Sequence, residues 1–266
     1  MIVRSYRDFF PDIRNELPRA FDVIGDLCII KIPGEILEIK SDIGEAILKA
    51  NKHIKVVLLD RGVRGDLRVR DLEFIAGDER TSTEHREFGS RYRLDLAHVY
   101  FSPRLSGERE RIASLVSPDE RVLDMFCGVG PFTIPAAKRA KAVSAVDLNA
   151  KAIEFLNENV LLNKVRNVTA FCGDARRAFE DCMFDRIIMN LPQNSMDFLE
   201  SALRRCERGV IHLYWICDDP VDASEIIKRE IERAGREVNS VGWRELHGYS
   251  AREKLFCFDI NIREIC

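Results

Sequence analysis

Apolar and polar positions follow two different rhythms along this chain. In the N-terminal part, residues 28–32 (CIIKI) and 55–60 (KVVLLD) are short apolar runs of strand length. Residues 67–77 (LRVRDLEFIAG) and 91–101 (RYRLDLAHVYF) alternate apolar with polar, as half-buried strands do. Between them, residues 34–52 place Ile36, Leu37, Ile39, Ile43, Ala46 and Ile47 at helical spacing. These segments predict a small α+β domain over residues 1–104.

After a join near residues 105–120, strand and helix alternate regularly. Strands are predicted at 121–126, 142–149, 168–174, 184–192 and 210–217, with helices at 131–140, 151–164, 195–207 and 222–235. A short helix is expected after the third strand, and two β-like segments, 238–246 and 254–262, close the chain. Strands alternating with helices of this length predict an α/β, Rossmann-like parallel sheet over residues 105–266, covered by helices on both faces. Ligand then binds beyond the carboxyl ends of the strands, where the strand order reverses.

The residues at those carboxyl ends carry chemistry. The first strand delivers Asp124 and then Gly128 and Gly130 into a helix, and two glycines let a ligand approach the backbone. A nicotinamide fingerprint continues to a third glycine, where this chain has Thr133. Asp124 is also poorly suited to a pyrophosphate and well suited to an ammonium or hydroxyls. Asp147 ends the second strand in VDLN, where a carboxylate can accept both ribose hydroxyls, with Leu148 next to it. Asp174 and Ala175 follow the third strand in GDA, where Asp174 can accept from an adenine amino group. Two glycines and three strand-end carboxylates describe a nucleoside site without a phosphate grip, which suits S-adenosylmethionine. Asn190-Leu191-Pro192 follows the fourth strand, placing a side-chain amide within reach of a transferable methyl. Leu191 and Gln193 stand where methyltransferases acting on exocyclic amines carry proline and an aromatic, which disfavours that substrate class.

Composition narrows the classes. The 266 residues are 46% hydrophobic and 32% charged, which argues against a disordered or low-complexity chain. No uncharged apolar run reaches the roughly 18 residues of a membrane span. The charged N-terminus lacks a signal-peptide core, so a soluble cytoplasmic protein is expected. The eight cysteines, at 28, 127, 172, 182, 206, 217, 257 and 266, form no CxxC pair and no zinc-spaced cluster, so neither metal nor disulfide is expected. Net charge is −3, yet residues 51–70 hold six basic side chains (Lys52, Lys55, Arg61, Arg64, Arg68, Arg70) against two acidic ones. That +4 segment is either a solvated face or a phosphate-contacting patch.

Longer motifs carry a resemblance. The stretches 21–33 (FDVIGDLCIIKIP), 67–81, 92–113 (YRLDLAHVYFSPRLSGERERIA), 124–135 (DMFCGVGPFTIP), 173–176 and 189–199 (MNLPQNSMDFL) resemble the archaeal and eukaryotic type of tRNA (guanine(37)-N1)-methyltransferase. The resemblance runs from about residue 20 to the C-terminus. It implies transfer of a methyl from S-adenosylmethionine to N1 of the guanine 3′ of the anticodon. It also implies a small domain packed on the catalytic one, and the chain is expected to act on tRNA as a monomer. By position in the motifs, the catalytic residues fall on Arg68, Glu108 and Asn190. Guanine N1 is protonated at neutral pH, so a carboxylate such as Glu108 can accept its proton while a guanidinium such as Arg68 donates to O6. Arg109 and Pro192 then line the cofactor site, and Tyr100 and Arg104 lie near the target nucleoside. Viewed alone, Glu108 and Arg109 look like a helix-surface pair. Family members commonly carry a further N-terminal domain that docks on the tRNA corner, and this sequence is expected to lack it.

Two alternatives stand beside methyl transfer. A related transferase of wybutosine synthesis moves the aminocarboxypropyl group of the same cofactor. The other is a non-catalytic RNA-binding module on a methyltransferase fold. The intact SPRLSGER and NLP motifs favour methyl transfer, and the intact strand-end acids and glycines speak against a dead fold.

Overall fold

The computed structural model describes residues 5–65, 67–250 and 252–263, the Arg64 side chain excepted. The chain divides into two compact units, Met1–Arg104 and Leu105–Cys266.

The first unit contains β1 (Asp22–Ile24), β2 (Leu27–Ile30), α1 (Lys40–Ala50), β3 (Val56–Arg64), β4 (Val69–Gly77), β5 (Ser82–Glu87) and β6 (Ser90–Asp95). Strands β1–β4 form one sheet in chain order, with β2 and β3 parallel and the other pairs antiparallel. A parallel pair needs a crossover, and α1 supplies it. The helix buries Ile43, Ala46 and Ile47 against Cys28, Ile30, Val57, Leu59 and Ile75 of the sheet. Gly44 allows the close approach, since a Cβ there would lie 2.7 Å from the Ala76 Cβ.

Two expectations for this unit are corrected. The single helix over 34–52 is a 3-10 stretch, Gly34–Ile39, followed by α1, with non-helical Ile36 (φ −120°) inside the first piece. Pro33 stands at its N-cap with no side-chain oxygen to receive the free amides, so the segment enters by tighter turns. The strand over 91–101 stops at Asp95. There the carboxylate accepts from Ala97 N at 3.0 Å and from Thr81 Oγ1 at 2.6 Å, folding the chain into a turn. The partner of β6 is β5, whose sequence STEHRE is polar throughout and carried no strand signal.

The second unit contains α2 (Ser106–Leu115), β7 (Arg121–Asp124), α3 (Thr133–Ala137), β8 (Ala142–Asp147), α4 (Ala150–Leu162), β9 (Val168–Cys172), β10 (Arg186–Met189), α5 (Leu199–Leu203), β11 (Gly209–Cys217), α6 (Pro220–Arg233), β12 (Val238–Gly248) and β13 (Lys254–Ile262). They build one seven-stranded sheet in the order β12-β13-β11-β10-β7-β8-β9. Strands β7 to β11 are mutually parallel, and β13 runs antiparallel between β11 and β12. This is the doubly wound, Rossmann-like sheet that the alternation predicts. The order reverses between β7 and β10, which is the switch point. Leu123, Ile187, Met189, Ile211, Leu213, Phe256 and Phe258 fill the core. The helices predicted at 131–140 and 195–207 shorten to α3 and to a 3-10 turn followed by α5. No helix among the described residues is long and apolar enough to cross a membrane.

Candidate functional site

The switch point collects the strand-end residues. Asp124, the last residue of β7, is fully buried. Thr133 Oγ1 donates to its Oδ2 at 2.7 Å, while its Oδ1 has no partner among the described residues. Burial pushes the carboxyl up to about 7, against the bonds from Thr133 and the Phe126 amide. On neighbouring β10, Ile188 pairs with Asp124, and Met125 N donates to Ile188 O at 3.0 Å. Asn190, just beyond that strand, also has a buried side-chain oxygen without a partner among the described residues. Its turn is fixed from behind: Leu191 N donates to Ser195 Oγ at 3.3 Å, and that hydroxyl donates to Met189 O at 2.9 Å. Pro192 O accepts from Ile216 N at 3.2 Å. Two orphaned acceptors at adjoining strand ends call for donors from outside the chain.

The glycines divide their work. Gly128 has φ +52°, and a Cβ added there meets nothing within 4 Å, so the turn leaves open space. Gly130 has φ +94°, and a Cβ there would lie 2.6 Å from Leu156 Cδ1, so this one is required by packing. Asp147 accepts from Gly128 N at 2.8 Å and from Asn149 N at 2.9 Å, one amide per carboxylate oxygen. Burial raises its carboxyl and these amides oppose the rise. Each oxygen keeps a second acceptor direction for a ribose hydroxyl. Leu148 is 62% exposed beside it, an apolar surface on which a base can lie. Asp174 does not stand free: Arg176 holds it with Nη2 to Oδ2 at 2.7 Å, which lowers its carboxyl below the usual range. Ala175 is buried.

Glu108 and Arg109 are the largest departure from a surface helix. They are only 7% and 4% exposed, although α2 has almost no amphipathic pattern. Arg109 lies over the Phe132 ring, 6.0 Å from its centre. Glu108 accepts from Arg111 Nε at 2.8 Å and Nη2 at 2.6 Å, and from the Tyr214 hydroxyl at 2.9 Å. Arg111 also grips Asp259, through Nη1 to Oδ2 at 2.8 Å, and Asp259 bonds His212 Nδ1 at 2.6 Å. Sequence reasoning missed Arg111, Tyr214, Asp259 and His212. The signal was present for two of them, since His212 is the one polar side chain in the apolar run VIHLYWI and Asp259 interrupts the apolar run LFCFDI. His212, Cys257 and Asp259 are also the group among the described residues whose types and spacing could hold a metal ion. Arg111 and Arg186 already occupy those atoms with positive charge, so a cation is not what the group is built for.

In the first unit, Arg68 takes φ +55°, a left-handed conformation uncommon for a non-glycine residue. Its guanidinium lies 5.7 Å from the Tyr100 ring centre, and that of Arg70 lies 5.5 Å away. Arg70 is anchored to Asp60 at 2.7 Å and Asp22 at 3.3 Å, and Arg104 Nε bonds Asp22 at 3.0 Å. Arg68, Tyr100 and Arg104 are therefore gathered around Asp22 and Arg70. The basic segment is less positive than its count: Arg61 pairs with Glu73, and Arg70 with two aspartates. Lys52 and Lys55 are exposed, with Lys55 Nζ donating to Lys52 O at 3.1 Å. The Arg64 side chain lies outside the described residues.

Comparison with known proteins accords with these features. Residues 83–241 match the TRM5/TYW2 methyltransferase domain, and residues 8–81 match the TYW2 N-terminal domain. The chain is 41% identical to the tRNA (guanine(37)-N(1))-methyltransferase Trm5b of Pyrococcus abyssi, covering 97% of this chain and 80% of that protein. It is 33% identical to a Methanocaldococcus jannaschii tRNA(Phe) (4-demethylwyosine(37)-C(7)) aminocarboxypropyltransferase, covering 88% and 90%. Among solved structures, it superposes on aTrm5 from a complex with tRNALeu with a TM-score of 0.88 at 38% identity, covering 99% of this chain and 80% of that one. With its matching domains, its relatives and its strand-end acids in agreement, the chain belongs to the TRM5/TYW2 methyltransferase family.

Proposed function

We propose that this protein transfers a methyl group from S-adenosylmethionine to N1 of guanine 37 in tRNA. The observation that carries this is the pair of buried, unpartnered acceptors, Asp124 Oδ1 and Asn190 Oδ1, at adjoining strand ends beside the open turn at Gly128. In a methyltransferase family, that arrangement suits a cationic, phosphate-free nucleoside. Asp124 and the Gly128–Gly130 turn would hold its amino acid part, with Arg109 and Pro192 lining the same site. Asp147 would take the ribose hydroxyls, Leu148 and Ala175 would flank the adenine, and Asp174 would accept from the adenine amino group. S-adenosylmethionine, when bound, supplies a methyl group on a sulfonium centre that leaves as a neutral thioether.

The chain's own groups supply the rest. Glu108 accepts the N1 proton of guanine, which turns a poor nucleophile into a good one. Arg68 donates to O6, where negative charge collects. Asn190 holds the target base for transfer, while Tyr100 and Arg104 contact the target nucleoside. Lys52, Lys55, Arg61 and Arg64 contact tRNA phosphates.

The test is digestion and mass mapping of tRNA bearing G37 after incubation with the protein and S-adenosylmethionine. N1-methylguanine at position 37 together with S-adenosylhomocysteine is expected. The match of residues 8–81 to the TYW2 N-terminal domain favours a second reading, aminocarboxypropyl transfer. That reaction releases methylthioadenosine instead. RNA binding with neither product points to a non-catalytic module.

A further inference from the structure

We infer that Tyr214 and Arg111 are positioning residues that aim the Glu108 carboxylate, and that a buried chain through Asp259, His212, Arg186 and Glu120 holds them in place. The inference rests on Glu108 being the base of the proposed reaction. It goes beyond it in naming what makes that carboxylate a directed acceptor.

The geometry is continuous within the second unit. A carboxylate offers about four acceptor directions, two on each oxygen. Arg111 Nη2 and the Tyr214 hydroxyl take both on Glu108 Oε1, and Arg111 Nε takes one on Oε2. One direction on Oε2 is left by these donors. The fork of Arg111 fixes the plane of the carboxylate, and Tyr214 fixes which edge is used. Burial pushes the Tyr214 phenol well above its ordinary range, so it stays a donor.

The supports are equally specific. Burial alone would raise the Asp259 carboxyl, but the bonds from His212 and Arg111 reverse this and leave it below the usual range. Arg186 Nη1 lies 2.7 Å from His212 Nε2, and a guanidinium can only donate. The proton of the neutral imidazole therefore sits on Nδ1, facing Asp259 at 2.6 Å. Burial favours that neutral form. Arg186 is itself clamped by Glu120, at 2.7 and 2.9 Å, and by Leu115 O at 2.9 Å. The titratable groups around Glu108 are Arg111 and Arg109 on its own helix, Tyr214 and His212 on β11, and Cys257 and Asp259 on β13. Apolar residues of similar volume would serve stability as well as this many buried charges. A directed acceptor is what the charged version provides.

The test is a double-mutant cycle in single-turnover methyl transfer, with KM for tRNA and cofactor affinity measured alongside. Tyr214→Phe removes one hydroxyl and keeps the packing, so it should fold. It is expected to slow transfer about tenfold with KM and cofactor affinity unchanged. In a Glu108→Gln background the same change should have no further effect, because Tyr214 acts through Glu108. Arg111→Lys keeps the charge and loses the fork, and should slow transfer about a hundredfold. Tyr214→Phe at the wild-type rate, or an equal tenfold loss in the Glu108→Gln background, overturns the inference while the reaction stands. A wild-type protein that makes no N1-methylguanine, or Glu108→Gln at full rate, overturns the proposed reaction or base and the inference with it.

Discussion

The amide of Gly128 donates to Asp147 Oδ2 at 2.8 Å, across 19 positions of sequence. The glycine turn after β7 and the acid at the end of β8 are thus one unit, each fixing the other. Asp147→Ala should weaken S-adenosylmethionine binding by roughly 2–4 kcal/mol through the loss of charge-assisted bonds to ribose. The freed Gly128 and Asn149 amides should also lower the melting temperature. Isothermal titration giving wild-type affinity in a folded variant excludes Asp147 as a ribose ligand.

As a ligand of the cofactor's ammonium, Asp124 should make cofactor binding pH-dependent. Its folded carboxyl sits at about 7, raised by burial, against an ordinary value of about 3.9. A raised carboxyl stabilises the ligand-free fold below about pH 4, and this contribution is lost as pH rises through about 7. Binding of an ammonium needs the ionised form, so affinity should rise with pH up to about 7. It should fall again above about 8 as the ligand's own amino group loses its proton. In Asp124→Asn the rise should disappear and affinity should be low throughout. Titration across this range in two buffers checks it, and a wild-type affinity that is flat from pH 5 to about 7 would falsify the pairing.

The two glycines should fail differently. Gly130→Ala drives a Cβ to 2.6 Å from Leu156 Cδ1 at φ +94°, so a loss of about 1–3 kcal/mol in stability is expected. Gly128→Ala meets no atom and should cost about 1 kcal/mol of stability from its conformation. It should lose cofactor affinity, because the methyl occupies the open turn. Denaturant melts and cofactor titration on both variants separate the two effects.

Glu108→Gln should lower single-turnover methyl transfer by about 10²–10⁴-fold, the range of one acid–base group. Cofactor affinity should be unchanged, since Glu108 is assigned to guanine. A variant that transfers methyl at the wild-type rate removes Glu108 as the base.

Lys52 and Lys55 are exposed cations of the basic segment, whereas Arg61, also exposed, is paired with Glu73. Neutralising both lysines should weaken tRNA binding and reduce the salt slope by about 0.9 for each phosphate that they neutralise. Arg61→Gln alone should change the slope less. Equal slopes for wild type and the double variant identify a solvated face.

Much of the candidate cofactor site's layout was legible because it is local. Strand, turn and helix follow one another in sequence, so a parallel sheet carries Asp124, Asp147, Asp174 and Asn190 to one edge whatever else the chain does. The positions of Gly128 and Gly130 were legible for the same reason, since a tight turn under a helix demands them. What was not legible locally was mostly misjudged. Strand β5 has no apolar alternation and exists because β6 pairs with it. The helix over 34–52 breaks at its start because no cap residue supports it.

The surroundings of Glu108 belong to the tertiary structure alone. Sequence spacing offers Arg111 three positions on, but Tyr214 lies 106 positions away and reaches Glu108 by register. Strand β11 sets His212 opposite Asp259 and Tyr214 opposite Cys257 on antiparallel β13. Alternate residues share a face of a strand, so His212 and Tyr214 point the same way, as do Cys257 and Asp259. A slip of one residue would turn both pairs to the other face and leave Glu108 and Arg111 without their partners. Local pattern marks most of the strands, with β5 the exception. Which side chains meet across them is decided by packing the whole sheet, and that brought a charged helix pair into the protein's interior.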